Sequence, residues 1–415
     1  MTMNPFDGAH APYVDLNSLA TAYGTPLYVY SADGFIASYQ GFAASLSALD
    51  SHIHFAVKAN SALGVLQVLA KQGAGADIVS YGEMKRAMMA GIPPEKIVFS
   101  GVGKTDAELA SALTDGIGQI NAESSAEIDH IMRIAEQLDV IAPVCLRVNV
   151  NVDPKSHAKI STGQRSTKFG IPVDDGQAEI LYKAICQNPH IKPMGLAVHI
   201  GSQLTELEPF ETAYLELLGL ADRLRADGYD VPGLDLGGGL GIDYATNQPV
   251  DFASYGRLVT RIFSNRGYRL GFEPGRSIAA DNGVLLTKTI FVKDGGDKRF
   301  VIVDAAMNDL LRPTLYEAYH TIDCLSPRDP HPLPADIVGP VCETGDYLGL
   351  GRMLPDVQEG DILVVRSAGA YGAVMMSNYN TRPEAAEILL DGDKVHVLRP
   401  RRTLDELLAL EHLPL

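Results

Sequence analysis

From about residue 50 to residue 280, short apolar or β-branched runs alternate with longer stretches of helical period. The runs read HIHFAVK (52–58), GADIVS (75–80), KIVFSGV (96–102), GQINAE (118–123), VCLRVNV (144–150), GLAVHIG (195–201), LDLGGGL (234–240) and RLGFEP (269–274). Between them lie segments such as ALGVLQVLAKQ, GEMKRAMMAGI, SSAEIDHIMRIAEQL and PFETAYLELLGLADRLRADG, whose apolar residues recur every three or four positions. This alternation predicts βα units around a parallel sheet. Eight strands with seven visible helices match a (β/α)8 TIM barrel, within the roughly 250 residues that fold takes. A doubly wound sheet is the alternative, because a single sequence does not show closure.

After residue 281 the pattern changes to Val/Ile-rich runs, VLLTKTIFVK, RFVIVDAA, DILVVRSAG and KVHVLRP, separated by Gly, Pro and Asp. That predicts a second, mostly β domain. PLYVYS (26–31) comes too early to belong to the barrel and is expected to join the C-terminal sheet. The fold class is therefore α/β, with a barrel over 35–280 and a β domain built from 1–34 and 281–415. The junction falls near Asp281-Asn282-Gly283.

Composition narrows the partners. A length of 415 residues agrees with about two domains. A net charge of −17 repels phosphate backbones, which excludes nucleic acid and anionic membrane as expected partners. No apolar run approaches the roughly 18 residues of a membrane span, and MTMNPFDGAH lacks the basic start and apolar stretch of a signal peptide. The four cysteines, at 145, 186, 324 and 342, show no CxxC spacing, so a reduced, cytoplasmic setting is expected. The 40 glycines exceed the usual share of roughly 7 %.

In a parallel barrel, functional groups gather where the strands end. Lys58 closes FAVK, where a desolvated amine suits covalent attachment to a carbonyl; a snorkelling rim lysine is the bland reading. Gly237, Gly238, Gly239 and Gly241 follow LDL of the seventh run, where backbone N–H groups can approach a phosphate, or where a tight turn needs positive φ. Glu273 and Arg276 in FEPGR either serve a pyridine-type nitrogen and an anion or pair with one another. His199 and Ser202 in VHIGSQ offer a ring and a hydroxyl, although a lone histidine is commonly a satisfied core group. Cys342-Glu343 lies between Gly/Pro-rich stretches; a free thiol is usually a small buried hydrophobe, but this setting is not apolar, which leaves a reactive thiol open beside that reading. Arg312, Tyr316 and Tyr371 complete the polar set outside the barrel.

Taken together, FAVKAN, GEMKRA, FSGVGK, INAES, STKFGI, VHIGSQL, DLGGGLGIDY, EPGRS, AAMNDLLRPTLYEAYH, VGPVCETGDYLG and AGAYGAVMMSNYNTRP resemble, in order, the group IV amino-acid decarboxylases. These are pyridoxal-phosphate enzymes of the alanine-racemase fold type, and the likeness runs from about Tyr28 to Pro400. The resemblance implies that Lys58 holds pyridoxal 5'-phosphate, His199 stacks on its ring and Glu273 faces its nitrogen. It places the phosphate on Ser202, Gly237, Gly238, Gly239, Gly275 and Arg276, with Tyr371 nearby. Arg276, Arg312, Tyr316, Glu343 and Tyr371 match substrate-contacting positions, and Cys342 matches the proton donor. It also implies a homodimer with shared active sites, the Cys-Glu segment coming from the partner subunit, and no metal.

The substrate follows from the charges. Basic amino acids present a distal ammonium, commonly met by Asp after the cysteine, whereas diaminopimelate presents an amine and a carboxylate. Arg276 and Arg312 suit that carboxylate through forked hydrogen bonds, and Glu343 suits the ammonium. Decarboxylation of diaminopimelate to lysine is thus favoured over ornithine, arginine, lysine or a D-amino acid serving polyamine or siderophore supply. A non-catalytic regulatory homologue predicts erosion of Lys58 or Cys342, and both are present. The sequence departs from its relatives at Tyr81 and Ala306, where Gly is common, and at Thr344, where Ser is frequent. Thr344 adjoins Glu343 and bears on fine selectivity.

Overall fold

A computed structural model describes residues 15–153, 157–160, 162–163, 167–245, 248, 250–329 and 331–414. The segment read for a signal peptide, 1–10, lies outside the described residues, as does part of the 161–170 loop. The described residues divide into two compact units. One comprises the described residues of Ser38–Ile242 and Val250–Ser277; the other comprises those of Met1–Ala37, Asp243–Pro249 and Ile278–Leu415.

The first unit is a closed parallel barrel. Its strands are β2 (Ser51–Ala56), β3 (Gly75–Ile78), β4 (Ile97–Phe99), β5 (Gln119–Ala122), β6 (Ala142–Asn149), β8 (Ile191–Val198), β9 (Gly233–Asp235) and β10 (Arg269–Phe272). They pair in the order β5-β4-β3-β2-β10-β9-β8-β6, and a β5–β6 pairing closes the ring. Closure selects the barrel over the doubly wound sheet. A two-residue strand, β7 (Ile171–Pro172), adds to β6. β3 and β4 are buried throughout because a barrel strand is covered on both faces, which is why their sequences read as continuous apolar runs.

Local chemistry fixes where the helices begin. Ser80, Ser124 and Asp251 accept backbone N–H bonds from Glu83, Glu127 and Ser254, and Thr105 with Glu108 forms a reciprocal capping box. Each such cap is worth about 1 kcal/mol. Helix Ser125–Leu138 then buries Ile128, Ile131, Ile134 and Ala135 along one stripe, as its helical spacing predicts.

The strands end earlier than the apolar runs suggest. β2 stops at Ala56, so Lys58 lies in a 3-10 turn, Val57–Ala59, and does not end the strand. His199 and Ser202 likewise follow β8, and the glycines follow β9. Burial continues past the last paired residue, and it is burial that a hydrophobic run reports.

The second unit is mainly β. β1 (Leu27–Ser31), fully buried, pairs antiparallel with β11 (Gly283–Gly295) and parallel with β17 (Ala386–Asp391). The sheet continues through β12 (Lys298–Val303), β14 (Leu333–Val338) and β15 (Tyr347–Leu354) on one side and β18 (Lys394–Arg399) on the other. β13 (Ile322–Cys324) and β16 (Ile362–Val365) pair with one another, and β16 with β11. Leu27, Val29, Val284, Leu286, Val364 and Ile388 form its core with Leu16 and Leu19 of the first helix. The segment opening at Asp243 belongs to this unit, an excursion that an unbroken 35–280 block does not include. Its physical cause is Tyr244, buried against the His320 ring with centroids 5.0 Å apart.

Candidate active site

Every barrel-borne candidate lies just past the C-terminal end of a strand. Lys58 follows β2 and places its Nζ 2.6 Å from Asp77 Oδ2 on β3. Asp77 is fully buried, and its other oxygen has no hydrogen-bond partner among the described residues. The lysine head is about a third exposed, open to a reaction partner on one side and held by a buried carboxylate on the other.

Glu273 follows β10. Its Oε1 accepts from Asn121 Nδ2 at 3.1 Å and from Ser100 Oγ at 3.3 Å. Burial pushes its carboxyl well above the usual range; the nearby Asp235 and Asp77 add to that, and Lys58 and Arg147 oppose it. His199 shows the opposite response. Burial first, then Arg147 and Lys58, pushes its imidazole well below the usual value, so the ring is neutral. Its Nδ1 accepts the Gly238 N–H at 3.2 Å, which places the proton on Nε2. A neutral ring presents a face that can stack on a flat cofactor.

The glycine run has a steric cause. A Cβ on Gly238 would lie 2.1 Å from the Glu273 carbonyl oxygen, and one on Gly239 would lie 2.4 Å from that of Gly201. Gly237 and Gly239 also adopt φ of +66° and +113°. The loop thus wedges between the ends of β8 and β10. The Gly237 N–H donates to Asp235 Oδ1 and the Gly238 N–H to His199, so these two amides are engaged within the protein. Beside them Arg276 Nη2 donates to Ser202 Oγ at 2.9 Å, and Gly275 leads into helix Arg276–Ala279. The donors fit an anion: a hydroxyl, a guanidinium and close-packed glycine backbone.

In the other unit, Arg312 opens helix Arg312–Tyr316. Cys342 and Glu343 sit exposed on the loop between β14 and β15. That loop is tied down by Asp346, whose carboxylate accepts the Met307 and Val341 N–H groups at 2.6 Å each. Thr314 Oγ1 donates to the Gly345 carbonyl, and Tyr347 OH to that of Pro313, so the loop rests on the Arg312 helix. The Cys342 N–H donates to Asn380 Oδ1 at 3.1 Å. The Glu343 carboxylate hydrogen-bonds Tyr379 and raises its phenol. Tyr371 adopts φ +56° in a loop that also holds Ser367 at +52°. All four cysteines are free; Cys145 and Cys324 are buried, Cys186 is half-buried and Cys342 is exposed.

Several polar residues of this architecture escape a reading of motifs. Asp77 is the one polar residue of its strand, and that oddity is the signal that marks it; Asn121 and Arg147 share their strands with Gln119 and Asn149. Arg147 pairs in the interior with Glu123 at 2.8 Å, and Glu123 also accepts the Gly101 and Gly170 N–H groups. Asp346 carries no such mark. A cavity of about 260 Å³ opens elsewhere, at the N-terminal ends of the strands, lined by His52, His54, Gln119, Cys145, Asp235 and Arg269. None of the candidate residues lines it; the barrel-borne candidates lie past the opposite, C-terminal ends of the strands.

Residues 34–280 match the family described as pyridoxal-dependent decarboxylase, pyridoxal binding domain. Over 400 residues the chain is 50 % identical to the diaminopimelate decarboxylase of Pseudomonas aeruginosa, covering 96 % of both proteins. Over 402 residues it is 49 % identical to that of Vibrio cholerae, covering 97 % of this chain and 96 % of the relative. The crystal structure of diaminopimelate decarboxylase from Helicobacter pylori complexed with L-lysine is 38 % identical, with a TM-score of 0.91, across 95 % of this chain and 99 % of that one. With a matching family domain, near-complete coverage and the same fold, the chain belongs to the diaminopimelate decarboxylase family of pyridoxal-dependent decarboxylases.

Proposed function

We propose that this protein decarboxylates meso-2,6-diaminopimelate to L-lysine and CO2, the last step of lysine biosynthesis, using pyridoxal 5'-phosphate. The observation that carries the reading is the 50 % identity along 96 % of both chains to an enzyme of that name. The site residues agree with it. Lys58 would hold the cofactor covalently, His199 would cover its ring and Glu273 would face its nitrogen. Ser202, Gly239, Gly275 and Arg276 would take the phosphate, Gly237 and Gly238 shaping the loop, with Tyr371 beside it. Cofactor fit is supported by the unpartnered, buried oxygen of Asp77 beside Lys58 and by the close-packed glycines.

When bound, the cofactor supplies a sink for the electron pair left as CO2 departs from the α-carbon. The chain does the rest. Glu273, whose proton affinity burial has raised, is a strong partner for a ring nitrogen. Asp77 orients the Lys58 amine, which would give up its place on the cofactor to the substrate's amine and return to displace the product's. The Cys342 thiol delivers a proton to the carbon that lost CO2. Arg276, Arg312 and Tyr316 suit the far-end carboxylate and Glu343 the far-end ammonium, with Tyr371 as a further contact. In this reading the working unit is a cytoplasmic homodimer in which each subunit lends Cys342-Glu343 to its partner, and the chain passes between the β domain and the barrel near residues 35 and 280.

The test is CO2 release by purified, cofactor-loaded protein from diaminopimelate, ornithine, arginine and lysine in parallel. Release from diaminopimelate alone is expected; release from ornithine or arginine instead would overturn the substrate. Lys58→Ala should lose the visible absorbance band of the bound cofactor together with turnover.

A further inference from the structure

Arg312 is held in the β-rich unit by two rings, those of His320 and Tyr244. Its Nη1 lies 2.6 Å from Nε2 of His320, a histidine with no exposed surface. The other imidazole nitrogen, Nδ1, lies 2.8 Å from the Arg366 carbonyl oxygen. These contacts determine the proton. A guanidinium can only donate and a carbonyl can only accept, so Nε2 is bare, Nδ1 carries the hydrogen and the ring is neutral. Below the guanidinium lies the Tyr244 ring, 4.5 Å from its centre, and that ring meets His320 edge-on. The chain of constraint runs further: Arg366 Nε donates to Asp323 Oδ2 at 2.5 Å, and Thr321 Oγ1 donates to the Tyr244 carbonyl.

We propose that His320, with Tyr244, is a positioning residue that presents Arg312 to a substrate carboxylate and so sets selectivity for amino acids acidic at their far end. The proposal rests on the reading above that Arg312 meets that carboxylate. The choice of partner is the physical argument. A neutral imidazole accepts one N–H without itself neutralising the guanidinium, and the Tyr244 ring below fixes the plane in which forked hydrogen bonds form. Order imposed beforehand on a long, rotamer-rich side chain is order the ligand need not impose.

The test compares two competitive inhibitors of the cofactor-loaded enzyme. L-Lysine keeps the far-end carboxylate, and 1,5-diaminopentane is the same chain without it. His320→Leu and Tyr244→Leu should each weaken lysine about tenfold and leave diaminopentane within about twofold, while His320→Gln, which retains an acceptor, recovers most of the loss. Arg312→Gln should abolish the preference, and adding His320→Leu to it should change nothing more. Equal weakening of both inhibitors in both leucine variants would show a merely structural role and overturn the proposal, as would unchanged lysine affinity. If Arg312→Gln itself leaves the preference intact, it is the Arg312 reading that fails. Tyr244→Leu keeps the test decisive if His320→Leu does not fold.

Discussion

Asp309 precedes Arg312 by three positions and is 1 % exposed. Its Oδ2 accepts the Ala306 N–H at 2.9 Å, while Oδ1 is buried without a partner among the described residues. Burial pushes the carboxyl up to about 7, against the pull of the Ala306 N–H and Arg382. In the unfolded chain the same group titrates near 3.8. Between those values the unfolded chain gives up its proton and the folded protein keeps it, so stability falls as pH rises from about 4 to about 7. At about 1.4 kcal/mol per pH unit, the ceiling of that loss is about 4 kcal/mol. Asp309→Asn removes the ionisation and retains an acceptor for Ala306, but sets an unpartnered amide where Oδ1 lies, at a cost of about 1–3 kcal/mol. The variant should therefore be more stable than wild type by about 1–3 kcal/mol at pH 8, and less stable by about 1–3 kcal/mol at pH 4, where only the cost of the amide remains. Urea denaturation of both proteins at half-unit steps of pH measures the difference directly. A difference that does not vary with pH, or a variant less stable at pH 8, would refute the reasoning.

Three further substitutions probe the site. Gly238→Ala puts a methyl 2.1 Å from the Glu273 carbonyl, so the loop must move and cofactor affinity should fall at least tenfold in an absorbance titration; unaltered affinity would contradict the wedge. Asp346→Ala strips the Met307 and Val341 N–H groups of their acceptor. Turnover should drop at least tenfold with the cofactor band retained, and full activity would show that the loop holds without it. Cys342→Ala should also retain the cofactor and lose about a hundredfold or more in turnover; an unchanged rate would remove the thiol from the proton-donor role.

The periodicities carried the architecture because a barrel strand is buried on both faces and its helix on one. They could not carry strand ends. HIHFAVK stays apolar past Ala56, where pairing stops, so Lys58 reads as a strand residue although it sits in a turn. Motif order marked Lys58, His199 and Glu273, yet the groups that tune them come from other strands: Asp77, 19 positions from Lys58, and Asn121, 152 positions from Glu273. Closure of the ring makes these neighbours, and closure has no local signature. His320 and Tyr244 were present in the quoted runs YEAYH and GIDY, but their role depends on a contact between segments that no periodicity records.

The pairing of Leu27 beside Ala386 has a consequence for synthesis. β1, every residue of it buried, is made long before its parallel neighbour β17. The barrel's strands are made in one nearly continuous stretch and can collapse as they emerge, but one edge of β1 stays open even after β11 has paired with the other. Closing so distant a pairing is slow, and an open strand edge invites the wrong neighbour meanwhile. Nascent chains halted after β11 and before residue 386 should therefore be aggregation-prone, with that edge of β1 exposed.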